Sequence, residues 1–120
     1  MLNKELLLSS SARPEMLLDI LLNNDSRALG FNVSVTIYDN GTIGDELINV
    51  RVPARQTIHV YERIPYYGKY IFTVHGGLFT YIEGIPDGVI VSEPPYSNTL
   101  SIQFPSPNVI TNGMTLHFWE

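Results

Sequence analysis

Phe31-Asn32-Val33-Ser34-Val35-Thr36-Ile37-Tyr38 runs directly into Asp39-Asn40-Gly41. In the first eight residues apolar and polar side chains alternate one for one. A strand satisfies that period of two by turning successive side chains to opposite faces, whereas a helix would scatter the same apolar set around its circumference. The asparagine and glycine that follow accept positive φ readily, which is what a tight hairpin requires. The stretch therefore predicts a half-buried strand entering a hairpin.

The same reading extends toward the C-terminus. Ile48, Val50 and Val52 alternate with Asn49 and Arg51 until Pro53 ends the run. Ile58 and Val60 alternate with His59, Tyr61 and Arg63. Pro65-Tyr66-Tyr67-Gly68 is a turn cluster, after which Tyr70, Phe72 and Val74 alternate with Ile71, Thr73 and His75. Gly76-Gly77 reads as a further hairpin, with Leu78 to Glu83 as its return strand. Pro86-Asp87-Gly88 marks another turn, Val89 to Val91 a short β-branched run, and Glu93-Pro94-Pro95 a break. Leu100, Ile102 and Phe104 form the next apolar series. Met114, Leu116 and Phe118, alternating with Thr115, His117 and Trp119, form the last. Strands at this spacing, with turn chemistry between them, predict a single all-β domain over residues 1–120. The expected architecture is an antiparallel β-sandwich of jelly-roll or Ig-like type.

The segment before Phe31 is less regular. Glu5 to Ser10 reads as a strand. Residues 14–22 admit either a short N-terminal helix, with Pro14 in its first turn, or a strand, since short apolar runs are not resolved by periodicity. The strand is preferred because everything after it is sheet.

Composition narrows the function classes. Of 120 residues, 44% are hydrophobic and 16% charged, too apolar for a disordered chain. A domain of this length buries roughly 65–70% of its unfolded surface and needs no staple. Seven Lys and Arg against twelve Asp and Glu give a net charge of −5, with no basic cluster to neutralise phosphates, so no nucleic-acid partner is expected. The absence of cysteine removes disulfides, thiolate catalysis and cysteine-based metal sites. No stretch has the length of a membrane span or the apolar core of a signal peptide. The expectation is cytoplasmic synthesis without a signal peptide, and no membrane partner. Two glycosylation-type triplets, Asn24-Asp25-Ser26 and Asn32-Val33-Ser34, carry no weight without a secretory signal.

No catalytic motif emerges. His59, His75 and His117 each sit on the polar side of an alternation, none close in sequence to another, and read as hydrogen-bonded sheet histidines rather than metal ligands or bases. Ser9-Ser10-Ser11 lacks a nucleophile elbow, and the glycines lack a phosphate-loop lysine. Asp39, Asp45 and Glu46 share one loop but not the EF-hand spacing, and Glu62, Glu83 and Glu93 are not placed together by sequence. The chain is read as a non-enzyme with no metal and no cofactor.

The aromatic residues carry more information. Seven tyrosines, five phenylalanines and one tryptophan are present, concentrated between Tyr61 and Tyr81. Apolar side chains on both sides of the runs at Tyr70–His75 and Leu78–Glu83 imply a second face needing cover, and assign Ile71, Phe79 and Tyr81 to an interface. The leading expectation is a structural or interaction module that self-associates or docks onto a larger protein assembly. By analogy of fold class and composition, its narrower form is a virion component of tail, neck or capsid-decoration type. The alternative is a lectin-like domain with a glycan partner, using Tyr66, Tyr67, Tyr96 or Trp119 as stacking platforms. A small cupin-like enzyme ranks third, since its close-spaced histidine and carboxylate ligands are missing.

Overall fold

The computed structural model describes residues 13–92 and 96–120. They form nine strands: β1 (Glu15–Asn24), β2 (Phe31–Asp39), β3 (Thr42–Val52), β4 (Thr57–Pro65), β5 (Lys69–His75), β6 (Leu78–Glu83), β7 (Ile90–Ser92), β8 (Thr99–Gln103) and β9 (Thr115–Trp119). A four-stranded sheet has the order β4-β1-β9-β6, and a five-stranded sheet the order β3-β2-β5-β8-β7. The two pack into a β-sandwich, as the alternating pattern predicts. Every pairing is antiparallel except β1 with β9, which run parallel from Leu21 opposite Thr115 to Asn24 opposite Phe118.

Residues 14–22 resolve to strand. Met16, Leu18, Ile20 and Leu22 of β1 are at most 1% exposed, while Leu17, Asp19 and Leu21 face outward, half-buried. No helix occurs among the described residues. The strand expected at Glu5–Ser10 and the serine cluster at 9–11 lie outside the described residues, as does Glu93.

The core is built from the inward residues of both sheets. Val33, Val35, Phe72, Val74, Leu100 and Ile102 from the five-stranded sheet meet Leu18, Ile20, Leu116 and Phe118 from the other. The Phe31 ring meets Phe118 edge-on at 6.2 Å, and Phe118 meets Phe79 in the same way at 6.1 Å. Burying a side chain of this size contributes about 1.5–3 kcal/mol. Tyr70, fully buried, places its hydroxyl where it donates to the Pro65 carbonyl at 2.7 Å and accepts the Tyr67 N–H at 2.9 Å.

The β2–β3 hairpin turns as expected, with φ of 50° at Asn40 and 80° at Gly41. Gly76-Gly77 does not make a hairpin. It carries the chain from β5 in one sheet to β6 in the other. Local turn residues specify a reversal of direction, but which strand accepts the ladder is decided by distant partners: β5 pairs with β2 and β8, and β6 with β9.

Two devices complete the four-stranded sheet. β9 begins opposite Leu21, leaving the earlier half of β1 without a strand on that side. Thr111, 1% exposed, fills the gap: its hydroxyl accepts the Asp19 N–H at 2.9 Å and donates to the Asp19 carbonyl at 3.0 Å. After β6, Gly84 turns at a φ of 68° so close to the chain entering β9 that a Cβ there would overlap the Gly113 carbonyl.

Candidate functional site

The two outer surfaces of the sandwich differ in chemistry. On the five-stranded sheet, Asn49, Ser34, Thr73 and Thr99 lie in one cross-strand row, and Glu46, Thr36, Ile71 and Ser101 in the next. The middle of this face presents hydroxyls and amides around the half-buried Ile71, with Ile43 and Ile90 exposed on its two edge strands. The four-stranded sheet presents His59 and Tyr61 from β4, Leu17, Asp19, Leu21 and Asn23 from β1, His117 and Trp119 from β9, and Tyr81 and Glu83 from β6. Three of its aromatic side chains are open to solvent: Tyr61 at 61%, Tyr81 at 50% and Trp119 at 44%.

A bulge fixes the β6 contribution. Phe79 pairs with Phe118 and Tyr81 with His117, so Thr80 is an extra residue in the ladder. Strict alternation would put residues 79 and 81 on one face. The extra residue lets Phe79 enter the core at 2% exposure while Tyr81 faces outward.

His117 is the centre of a polar network on this face. The Asn23 amide nitrogen donates to Asp25 Oδ1 at 2.7 Å and to His117 Nδ1 at 3.0 Å, while Asn23 Oδ1 accepts the Thr57 hydroxyl at 2.6 Å. Nδ1 of His117 also lies 3.5 Å from Asp25 Oδ2, and Nε2 lies 2.5 Å from Glu83 Oε1. Tyr81 covers the imidazole from outside, its ring 4.0 Å away and 7° from parallel. Both ring nitrogens meet polar partners, so His117 ties its neighbours on β1 and β6 together. His59 Nε2 lies 2.6 Å from Asp19 Oδ1 on the same face. His75 meets the Ser34 hydroxyl at 2.9 Å on the opposite one. Among the described residues no group of three or more histidine and carboxylate side chains is arranged to hold a metal ion.

The structure separates the residues that sequence reasoning grouped as an interface. Ile71 lies on the hydroxyl-rich face, Tyr81 on the opposite outer face, and Phe79 in the core. The grouping fails because Gly76-Gly77 switches sheets and because Thr80 is a bulge. The stacking candidates separate too. Tyr66 is half-buried against the core and donates its hydroxyl to the Phe104 carbonyl at 2.5 Å. Tyr67 is half-buried beneath the Arg13 guanidinium, 3.9 Å from its ring centre. Tyr96 is 64% exposed, and Trp119 stands at the end of β9 beside a groove. Asp39, Asp45 and Glu46 do not share a loop: Asp39 ends β2, where Arg13 holds it at 3.4 Å, and Asp45 and Glu46 lie within β3, where Glu46 accepts from Asn49.

The groove beside Trp119 is lined by Asp25, Ser26, Arg27, Ala28, Leu29 and Glu120 and is an open depression of about 400 Å³. Its wall, the loop after β1, is pinned from within by Asn24, which is 1% exposed. Asn24 Nδ2 donates to the carbonyls of Leu29, Val52 and Pro53 at 2.8, 3.1 and 3.2 Å, and Oδ1 accepts the Ser26 N–H at 2.9 Å. Arg55 holds the loop from outside, through the Ser26 and Arg27 carbonyls. Sequence reasoning missed this loop. Its signal was present in Asn23-Asn24-Asp25-Ser26, a run of side chains that bond neighbouring backbone, as Asn24 does in its Asx turn.

No family model, curated protein or solved structure matches this chain.

Proposed function

We propose that this domain is a non-catalytic interaction module that works by self-association, a second copy of the chain covering the outer face of the four-stranded sheet. The observation that carries this reading is the exposure of three aromatic residues, Tyr61, Tyr81 and Trp119, on one face around the half-buried Leu17 and Leu21, while the middle of the opposite face is hydroxyl-rich and its exposed isoleucines, Ile43 and Ile90, stand apart on its two edge strands. Aromatic side chains with rigid, flat surfaces are the residues that protein interfaces favour. The size of the face supports a modest affinity. Its four strands, β4, β1, β9 and β6, are nine, ten, five and six residues long; at about 4.8 Å between strands and about 3.3 Å per residue they project roughly 480 Å². That is below the ~800 Å² per partner of a standard interface and suits a weak contact reinforced by repetition within an assembly.

Sedimentation velocity from micromolar to sub-millimolar protein tests the reading. The expected result is a mass that rises with concentration, abolished by Tyr61→Ser with Leu21→Asn and unchanged by Ile71→Ser on the opposite sheet. A monomer at every concentration, or an oligomer that survives the double substitution, overturns it. The narrower reading, a virion component of tail, neck or capsid-decoration type, is supported by fold class and composition alone. Neighbouring capsid, portal or tail genes would favour it, and metabolic genes would count against it.

A further inference from the structure

The groove beside Trp119 shares that indole with the self-association face, but its polar lining, Asp25, Arg27 and Glu120, is not used by the self-association reading. It lies at the rim of the four-stranded sheet, where β9 ends and the loop after β1 rises. Its aromatic wall is a 44% exposed indole, and its volume of about 400 Å³ lies within the range of small-molecule sites. Its polar groups are of complementary kinds. Asp25 is half exposed; the Asn23 amide takes up Oδ1 at 2.7 Å, and Oδ2 lies 3.5 Å from His117 Nδ1 with its remaining lone pairs open to solvent. Arg27 is exposed, and no ion pair closes it onto Asp25 or Glu120 among the described residues. A carboxylate that accepts and a guanidinium that donates, both with spare capacity, match a pair of neighbouring hydroxyl groups, each of which donates and accepts. An indole face attracts the weakly positive C–H groups of a sugar ring through its quadrupole. The backbone of the wall that carries Asp25 and Arg27 is held by the Asn24 and Arg55 hydrogen bonds, so binding has only side chains left to order.

We propose that this groove is a saccharide site that takes one neutral pyranose ring, stacked on Trp119 with adjacent hydroxyls shared between Asp25 and Arg27. Charge selects the class of sugar. The lining carries two carboxylates, Asp25 and Glu120, against one guanidinium, and the chain as a whole has a net charge of −5. Uronic and sialic acids are therefore disfavoured against neutral rings. The Tyr81 ring lies on the same outer face, backed by His117, two residues before Trp119 along β9. It offers a second flat surface for the next unit of a chain leaving the groove.

The test begins with the intact protein on an array of hexose- and N-acetylhexosamine-terminated neutral oligosaccharides, together with their sialylated and uronate counterparts. The best neutral sugar is then titrated free in solution. Trp119 is the chain's one tryptophan, so its emission reports the site directly. The expected result is a saturable emission change with a neutral sugar. Calorimetry is expected to find affinity reduced about tenfold or more by Arg27→Ala, by Asp25→Asn and by Trp119→Phe, in line with the loss of a charged hydrogen bond or a stacking face. Tyr96→Ala, at an exposed aromatic outside the groove lining, is expected to leave affinity unchanged. Arg27 is exposed and uses only its backbone carbonyl in the fold, so its substitution leaves the loop standing. No neutral sugar bound at millimolar concentration, a preference for acidic sugars, or affinity that survives both Arg27→Ala and Trp119→Phe each overturns the proposal. The Tyr61→Ser, Leu21→Asn protein keeps the groove lining intact. Sugar binding is expected to persist in it, which separates this site from the self-association face.

Discussion

The Tyr81 ring lies flat on the His117 imidazole, 4.0 Å between centres and 7° from parallel. The pair couples a solvent-facing aromatic surface to a hydrogen-bond network that ties β6, β9, β1 and β4 together through Glu83, His117, Asn23 and Thr57. The Tyr81 phenol is held above its ordinary value of 10.0 by desolvation first, and then by the negative charges of Glu83 and Asp25. In the folded protein the phenolate absorbance of Tyr81 is expected to rise above pH 10, and to move back toward it in Glu83→Gln. A Tyr81→Phe control identifies the step, and titration at or below the free tyrosine value would contradict the assignment.

Tyr70 is also raised above 10.0, principally by burial. A raised value in the fold means that the neutral phenol is favoured there. Its contribution to stability is fully present below pH 10 and is lost as pH climbs through the folded value. Chemical denaturation between pH 8 and 12, buffer by buffer, should show stability falling only in the upper part of this range. Tyr70→Phe should flatten that fall. It should also cost about 1–3 kcal/mol at neutral pH, because the Tyr67 N–H loses its acceptor and the Pro65 carbonyl its donor.

Phe79→Ala and Tyr81→Ala distinguish core from surface. The first empties a site that is 2% exposed, between Phe118 and its neighbours, and is expected to destabilise by about 3–5 kcal/mol. The second removes an exposed ring, and its melting temperature should stay much nearer the parent's. Equal losses for the two would mean that the Thr80 bulge is wrongly placed.

Thr111→Val is nearly isosteric and removes one hydroxyl. It leaves both the N–H and the carbonyl of Asp19 without the partner they have on that side, at an expected cost of about 1–3 kcal/mol. Amide exchange at Asp19 should accelerate more than at Leu21, whose N–H is bonded to the Met114 carbonyl. Uniform acceleration along β1 would argue against the local role.

Gly84→Ala is expected to abolish the native fold or to cost several kcal/mol, since the added methyl meets backbone that is itself building β9 and the φ is positive. Gly113→Ala, one strand away with open space around its Cβ position, serves as the tolerated comparison.

The faces of the strands were legible because alternation is a local property. Val33, Val35, Leu116 and Phe118 are buried on the side their spacing assigns. Partner choice was not legible. Gly76-Gly77 has the chemistry of a hairpin, yet it joins the two sheets, and nothing within those residues encodes that β6 must lie beside β9. The bulge at Thr80 was hidden for a similar reason, since one unpaired residue leaves no trace in composition and still reverses the side on which Tyr81 emerges. Trp119 was correctly placed on an outer face by its position opposite the apolar series. The groove wall at 25–29 was missed because its order comes from Asn24 reaching Val52 and Pro53, residues distant in sequence.

The parallel pairing of β1 with β9 has a consequence for how the molecule comes to exist. β9 is an interior strand of its sheet, flanked by β1 and β6, although it follows every other strand in chain order. During synthesis, β1 and β4 are able to pair early, but β6 has no sheet to join until β9 arrives. The closing contact, Leu21 against Thr115, spans most of the described chain, a loop closure that slows folding and keeps an unfinished edge open in the meantime. Nascent chains halted before residue 115 should therefore be the aggregation-prone species, and the time spent in that state, more than the stability of the finished sandwich, should set how much protein a cell recovers.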